Sequence, residues 1–267
     1  MAYETLEIDR EGPLARVTLA RPEKRNALNP TLASELAALL RALEPDDDVR
    51  VVAIRGSGGN FCSGGDLAPD GKRARSHSAS PAVTTLDLMN RVYGDAIRTL
   101  HRFPKPIVAI VEGSAAGAGA NLAFACDLVY ASKSARFSEI FVKRGLGLDC
   151  GGSWLLPRLI GLQRAKELAF FGDWISAEEA RTLGLVTGVY EDAELETATN
   201  ERLATLAARA PIALQQIKQS LHRAMDVGMN ETLEIEALAQ ATCASTEDAT
   251  EGFVAFAEKR EPRFQGR

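Results

Sequence analysis

Three stretches of the chain carry residues whose types and spacing could do chemistry. In residues 105–121, KPIVAIVEGSAAGAGAN, an apolar run at 107–111 stops at Glu112-Gly113, and nothing larger than serine follows through Ala120. The run reads as a buried strand. Nothing bulky then stands between the turn and a ligand. The main-chain N–H groups of Gly117, Ala118 and Gly119 fall at the start of an apolar helix expected over 121–126. Such groups have no intrahelical partner and can receive an anion or a developing oxyanion. Small residues there also let a helix pack closely on a sheet, and the segment by itself leaves both readings open.

The pattern occurs twice. A strand over 49–54 ends at Gly56-Ser57-Gly58-Gly59-Asn60 and leads into Phe61-Cys62-Ser63-Gly64-Gly65-Asp66-Leu67. Two such turns, brought together by parallel strands, could offer two N–H donors to one oxygen. Neither fits the G-x-G-x-x-G dinucleotide turn, and no Gly-Lys-Ser/Thr makes a nucleotide loop. The third stretch, RGLGLDCGGSWLLP at 144–157, holds Asp149 as a lone carboxylate among Leu146, Leu148, Cys150 and Trp154. Desolvation there would raise its pKa and suit it to proton transfer near neutral pH. Capping of a short helix after Gly151 is the competing reading.

Lys24 and Arg25 lie in a polar loop, 21–28, between a strand and a helix, as a phosphate clamp or as solvated charges. His77, His101 and His222 show no metal-ligand spacing, so no metal is expected and each reads as a solvated or packing residue. Cys62, Cys126, Cys150 and Cys243 form no C-x-x-C pair, and the N-terminus has no signal pattern. Both features point to a reducing cytoplasm.

The elements that must position these residues can be read in order. Strands at 5–8 and 15–19 form a hairpin across a turn-rich segment, and Asn29-Pro30 opens a helix to about Leu43. Residues 68–85 are polar, a lid or a plain surface loop. Leu86, Met89, Tyr93, Ile97 and Leu100 mark the core stripe of a helix over 86–101. A strand at 128–131 and an extended piece at 135–141 follow. The remainder is helical: 162–171, a helix behind a Ser176/Glu179 capping box, 193–208, and a helix opened by Pro211. That last helix carries Leu214, Ile217, Leu221 and Met225 as one stripe for core or subunit interface. Two more helices come after it, the last behind a Ser245/Asp248 box, and the tail at 259–267 is basic. The chain thus divides into a core over 1–200 and a helical region over 201–267.

The 267 residues are 46% hydrophobic and 25% charged, the balance of an ordinary globular chain. A net charge of -5 and a pI near 5.4 argue against general binding to nucleic acid or to a membrane surface. No apolar run approaches a membrane span.

At this point the residues resemble a known family nearly end to end. Arg21-Pro22 with Asn26-Ala27-Leu28, residues 61–67, Lys105-Pro106 through Gly113, Gly117-Ala118-Gly119 with Leu122-Ala123, Cys126-Asp127, and Ser176-Ala177 through Gly184-Leu185-Val186 are similar to the crotonase superfamily, the enoyl-CoA hydratases and isomerases. The resemblance implies an α/β fold, a spiral of ββα units. Its C-terminal helices pack in trimers, commonly paired into hexamers. It implies an acyl-CoA thioester as substrate, with no further cofactor. Gly65 and Ala118 are then the two N–H donors of an oxyanion hole for the thioester carbonyl. Lys24 and Arg25 look like contacts to coenzyme A phosphates. Ala27 and the backbone of Ser63, Asp66 and Leu67 are placed with the adenine and pantetheine pocket. Phe256 and Lys259 resemble C-terminal positions that reach coenzyme A from the same or a neighbouring subunit.

The departures from the family pattern shape the expected chemistry. Its hydratases use two glutamates, and those positions read Asn121 and Phe141, neither of which carries a proton at neutral pH. Both are assigned to the acyl pocket, as is Trp154. Glu139, two residues before the second position, reads as a surface glutamate, or as a substitute if the register slips. Asp149 matches the proton-shuttling aspartate of several family isomerases, notably those resembling the ring-oxepin-forming isomerase of phenylacetate breakdown. The expectation is an acyl-CoA isomerase acting through Asp149. The alternatives are a hydratase with Asp149 or Glu139 as its base, and a non-catalytic acyl-CoA-binding member.

Overall fold

The computed structural model describes residues 3–66 and 80–267. Leu67 and residues 68–79 of the polar stretch lie outside the described residues.

The chain begins with an antiparallel hairpin, β1 (Leu6–Glu11) and β2 (Leu14–Leu19), and then α1 (Pro30–Leu43). The Asn29 side chain accepts from Leu32 N at 2.8 Å, and proline occupies the first helical position, where no N–H is needed. Strand β3 (Val51–Gly56) pairs parallel with β2. After the undescribed stretch come α2 (Pro81–Leu88), a π-helical turn at Met89–Tyr93, and α3 (Gly94–Arg102).

The helix expected over 86–101 is therefore composite and starts at Pro81, within the stretch read as loop. Tyr93 and Leu100 of its predicted stripe are buried, but Leu86 is 61% exposed. The π turn offsets the helical phase, so a regular 3.6-residue stripe does not carry through it.

Two ββα turns follow. Strand β4 (Ile107–Val111) joins the large sheet, β5 (Ser114–Ala116) a small one, and α4 (Ala118–Phe124) closes the turn. Strand β6 (Leu128–Ser132) again joins the large sheet and β7 (Arg136–Ser138) the small one. The extended piece expected over 135–141 ends at Ser138, and Phe141 sits in a 3-10 turn, Ile140–Arg144. Helices α5 (Gly152–Ile160) and α6 (Leu162–Phe171) lead to β8 (Trp174–Ser176), α7 (Ala177–Leu183) and β9 (Gly188–Tyr190). Ser176 and Glu179 form the expected reciprocal capping box.

The large sheet runs β1-β2-β3-β4-β6-β9 and is parallel beyond the hairpin, while the small one runs β5-β7-β8. A parallel sheet is covered on both faces, which is why its strands read as continuous apolar runs. Val52, Ile54, Ile107 and Ala109 point into the main core with α1 and α4. Val51, Ala53, Val108 and Ile110 point into a second cluster with Leu195, Leu203 and Ala207 of α8 (Leu195–Ala207).

The last helices are α9 (Pro211–Ala224), α10 (Met229–Ala244) and α11 (Glu247–Glu258). The cap of α11 is Thr246, whose Oγ1 accepts from Ala249 N at 3.1 Å, rather than Ser245, which ends α10. Asp248 instead accepts from Gln265 and Gly266, at 2.6 and 2.8 Å, and pins the tail. Ile217, Leu221 and Met225 of the α9 stripe are exposed in the single chain, so they are not part of its core.

Candidate active site

Loop 21–28 and loop 60–66 are stitched together. Leu28 N donates to Gly64 O at 2.7 Å, Asp66 N to Leu28 O at 2.9 Å, and Ser63 N to Arg25 O at 3.0 Å. Ser63 Oγ donates to Lys24 O at 3.1 Å. Asn26, fully buried in the left-handed region, donates through Nδ2 to Ser57 O and Asn60 O and accepts from Arg21 N. The Arg21 guanidinium bonds Ala27 O and, at 2.8 Å, the Asp66 carboxylate. The Asp66 side chain is thus held in an ion pair, while the part of Asp66 assigned from sequence to the pocket is its backbone. Lys24 and Arg25 keep their side chains exposed at the mouth of this knot.

The same loop is welded to the second small-residue turn. Cys62 pairs with Ala115 as a parallel bridge, with Cys62 N donating to Ser114 O and Ala116 N to Cys62 O. A Cβ on Gly64 would stand 2.9 Å from Ala116 O, and one on Gly119 would collide with the Cys62 main-chain oxygen. The glycines are what let the two turns touch.

In the bridge between Leu28 and Gly65, Leu28 takes Gly64 O and Asp66 N, so the N–H of Gly65 faces away from Leu28, and a Cβ on Gly65 would meet nothing within 4 Å. Ala118 is the first residue of α4, whose early N–H groups have no intrahelical acceptor. Gly117 before it has φ 52 and ψ -122, a conformation only glycine adopts readily, and spends its own N–H on Ser138 O at 2.7 Å. No acceptor for the Gly65 or Ala118 N–H is present among the described residues. The helix starts three residues earlier than expected, which brings Asn121 into its first turn.

Asn121 is completely buried and donates through Nδ2 to Asp149 O at 3.0 Å and to Glu139 Oε2 at 3.4 Å. Asp149 does not cap α5 with its side chain; the cap is Gly151, and Gly152 N bonds the Asp149 main-chain oxygen. Burial raises the Asp149 pKa, against a hydrogen bond from Cys150. Cys150 holds the left-handed conformation at φ 46, strain of the sort that persists where a fold over-determines a functional loop.

Glu139 is the residue that sequence reasoning misplaced. It is 2% exposed, not on the surface, and burial first and the Asp149 charge second push its pKa up to about 8. Asn121 Oδ1, Glu139 Oε1 and Asp149 Oδ1 are buried oxygens with no hydrogen-bond partner, and no other such side-chain atom occurs among the described residues. Tyr93, read from sequence as core, is a second missed neighbour: its hydroxyl lies 3.5 Å from Leu28 O and feels Asp149 and Asp66. Its place at the end of a π turn is a signal that periodicity does not carry.

Phe141 is buried with its ring edge 3.4 Å from where a Gly117 Cβ would be, so it walls the Gly117 turn. The Trp154 ring is held 5.0 Å from the His101 ring and 4.2 Å from the Arg158 guanidinium. The structure therefore groups Ala27, Ser63, Gly65, Asp66, Ala118, Asn121, Phe141 and Asp149. Phe256, 87% exposed, and Lys259 stand at the end of α11, joined to the group by no hydrogen bond or ion pair among the described residues. No set of three metal-ligating side chains occurs among the described residues, and no described helix is long and apolar enough to cross a membrane.

A family profile described as enoyl-CoA hydratase/isomerase matches residues 9–267. A probable enoyl-CoA hydratase of Rhodobacter capsulatus is 38% identical over 267 residues, the full length of both chains. A 1,2-epoxyphenylacetyl-CoA isomerase of Escherichia coli is 37% identical over 260 residues, covering 96% of this chain and 97% of its own. The crystal structure of an enoyl-CoA hydratase from Bacillus anthracis superposes with a TM-score of 0.90 at 30% identity, over 99% of this chain and 100% of that one. The chain belongs to the enoyl-CoA hydratase/isomerase family, with the crotonase fold.

Proposed function

We propose that the protein is an acyl-CoA isomerase in which the Gly65 and Ala118 N–H groups hold a thioester enolate while Asp149 moves a proton along the acyl chain. One observation carries this reading. Asp149 has a buried oxygen without a protein partner and hangs, through Asn121, one helical turn from Ala118.

The chemistry needs one base. The Asp149 carboxylate takes a proton from carbon, and the C–H electron pair flows onto the thioester oxygen. Two N–H donors stabilise that charge, and loss of one such donor typically costs about a hundredfold or more in rate. The same carboxyl returns the proton to a different carbon, and the double bond shifts. Lys24 and Arg25 face the phosphates, and coenzyme A belongs to the substrate, with no separate cofactor. The exposed apolar residues of α9 to α11 fit packing against other copies, as trimers or hexamers, with Phe256 and Lys259 reaching a neighbour's site.

The runner-up is a hydratase that uses Glu139 and Asp149 as an acid/base pair, favoured by the burial of both carboxyls. Supplying crotonyl-CoA and a 3-enoyl-CoA separately, across short, long and aromatic acyl groups, discriminates the two. The isomerase reading expects conversion of the 3-enoyl thioester, and fast water addition to crotonyl-CoA without that conversion would sink it.

A further inference from the structure

The three orphaned oxygens are the Asn121 amide oxygen and one oxygen of each residue its Nδ2 bonds, Glu139 and Asp149, and all three are acceptors as long as both carboxyls are ionised. A buried acceptor without a donor is costly, and two carboxylates that repel one another in a dry site are costlier. One proton relieves both problems. Burial shows which carboxyl receives it. Glu139 Oε2 already accepts from Asn121 Nδ2, so Oε1 is the oxygen free to become a hydroxyl, and Glu139, at 2% exposure, is the worse solvated of the two. Asp149 is only partly buried, and Asn121 ties its loop to α4 one helical turn from Ala118.

We propose that Glu139 is a positioning residue that enters the reaction protonated, its Oε1 hydroxyl donating toward Asn121 Oδ1 and Asp149 Oδ1, so that the single negative charge of the cluster rests on Asp149. This inference rests on Asp149 being the base. When Asp149 takes a proton from carbon, both carboxyls become neutral and the only charge left is on the enolate oxygen at Gly65 and Ala118. If Glu139 is ionised, a second negative charge lies behind that enolate and opposes its formation. Activity then falls on the alkaline side as Glu139 loses its proton.

Other titratable groups facing the pair do not confuse the assignment. Burial pushes the Cys150 thiol up, the Cys62 thiol behind it up to about 11, and the Tyr93 hydroxyl up to about 12. No cation acts on either carboxyl among the described residues.

The test has one readout without turnover and one with it. Nuclear magnetic resonance of the full chain labelled with carbon-13 at glutamate side-chain carboxyls should show one glutamate protonated at pH 7, absent in Glu139→Gln. Its titration midpoint should shift down in Asp149→Asn. All glutamates ionised at pH 7 in the parent protein would overturn the proposal, even where the Gln variant fails to fold. In turnover, the alkaline fall seen in the parent should be lost in Glu139→Gln, and an identical fall in both would overturn it. A protein that turns over no acyl-CoA yet shows the protonated glutamate overturns the isomerase reading and with it the catalytic part of this proposal, and supports only the assignment of the proton to Glu139.

Discussion

Asn121 Nδ2 donates to the main-chain oxygen of Asp149 at 3.0 Å, across 28 residues of sequence, and so ties the loop bearing the carboxyl to the helix whose first residue is Ala118. Because one end of that tie is a completely buried amide and the other is main chain, the loop of Asp149 is positioned relative to α4 by packing.

Asp149→Asn keeps the shape and the main-chain bond to Asn121 but cannot take a proton. Exchange of substrate α-protons into heavy water should fall by about 10² to 10⁴-fold with the fold unchanged. Exchange at the parental rate would remove Asp149 from the chemistry.

Ala118→Pro deletes one N–H at the first helical position, where proline suits the backbone. Turnover should drop by about a hundredfold or more while the circular dichroism and melting profile stay close to parental. A parental rate would show that this N–H does not meet the developing charge.

Gly119→Ala drives a methyl group into the Cys62 main-chain oxygen and within 2.7 Å of its Sγ. Neither turn can give way without breaking the bridge between Cys62 and Ala115, so stability should fall by about 1–3 kcal/mol, and activity with it. Denaturant unfolding at fixed protein concentration measures the first, and an unchanged midpoint would contradict the close approach.

Asp66→Ala leaves the Arg21 guanidinium buried opposite an empty site, since each side chain of the pair is only 9% exposed. Removing one partner of such a pair costs roughly 3–5 kcal/mol. A double-mutant cycle with Arg21→Met should recover part of the loss, and a loss confined to coenzyme A affinity with unchanged stability would contradict the structural role of the pair.

His101 and His222 stack at 4.1 Å with their planes 6° apart. Burial lowers the His101 pKa to about 4, helped by His222 and Lys218, and burial lowers that of His222 also. The folded state therefore holds these rings neutral while the unfolded chain takes up protons below its ordinary value of 6.5, so stability should fall as pH drops from about 6.5 toward 4. Unfolding midpoints across that range check this, and His101→Phe should flatten the slope.

Local signals were legible in the sequence because they need only neighbours along the chain. Asn29-Pro30 caps α1, Ser176 and Glu179 cap α7, the apolar run at 107–111 is a buried parallel strand, and the two small-residue turns stand where strands end. The cap of α11 slipped by one residue, to Thr246, because Asp248 was needed to hold the tail.

What only the tertiary structure decided is which side chains lose water together. Glu139 follows β7 and looks like any glutamate at a strand end; it is buried because Asn121 and the loop of Asp149 close over it. His101 and His222 are 121 residues apart in sequence and meet only where the fold brings α9 beside the end of α3. Sequence assigns residue types and local backbone, whereas the charge state of a carboxyl depends on desolvation and on its neighbours in space, and those are fixed when the helices pack.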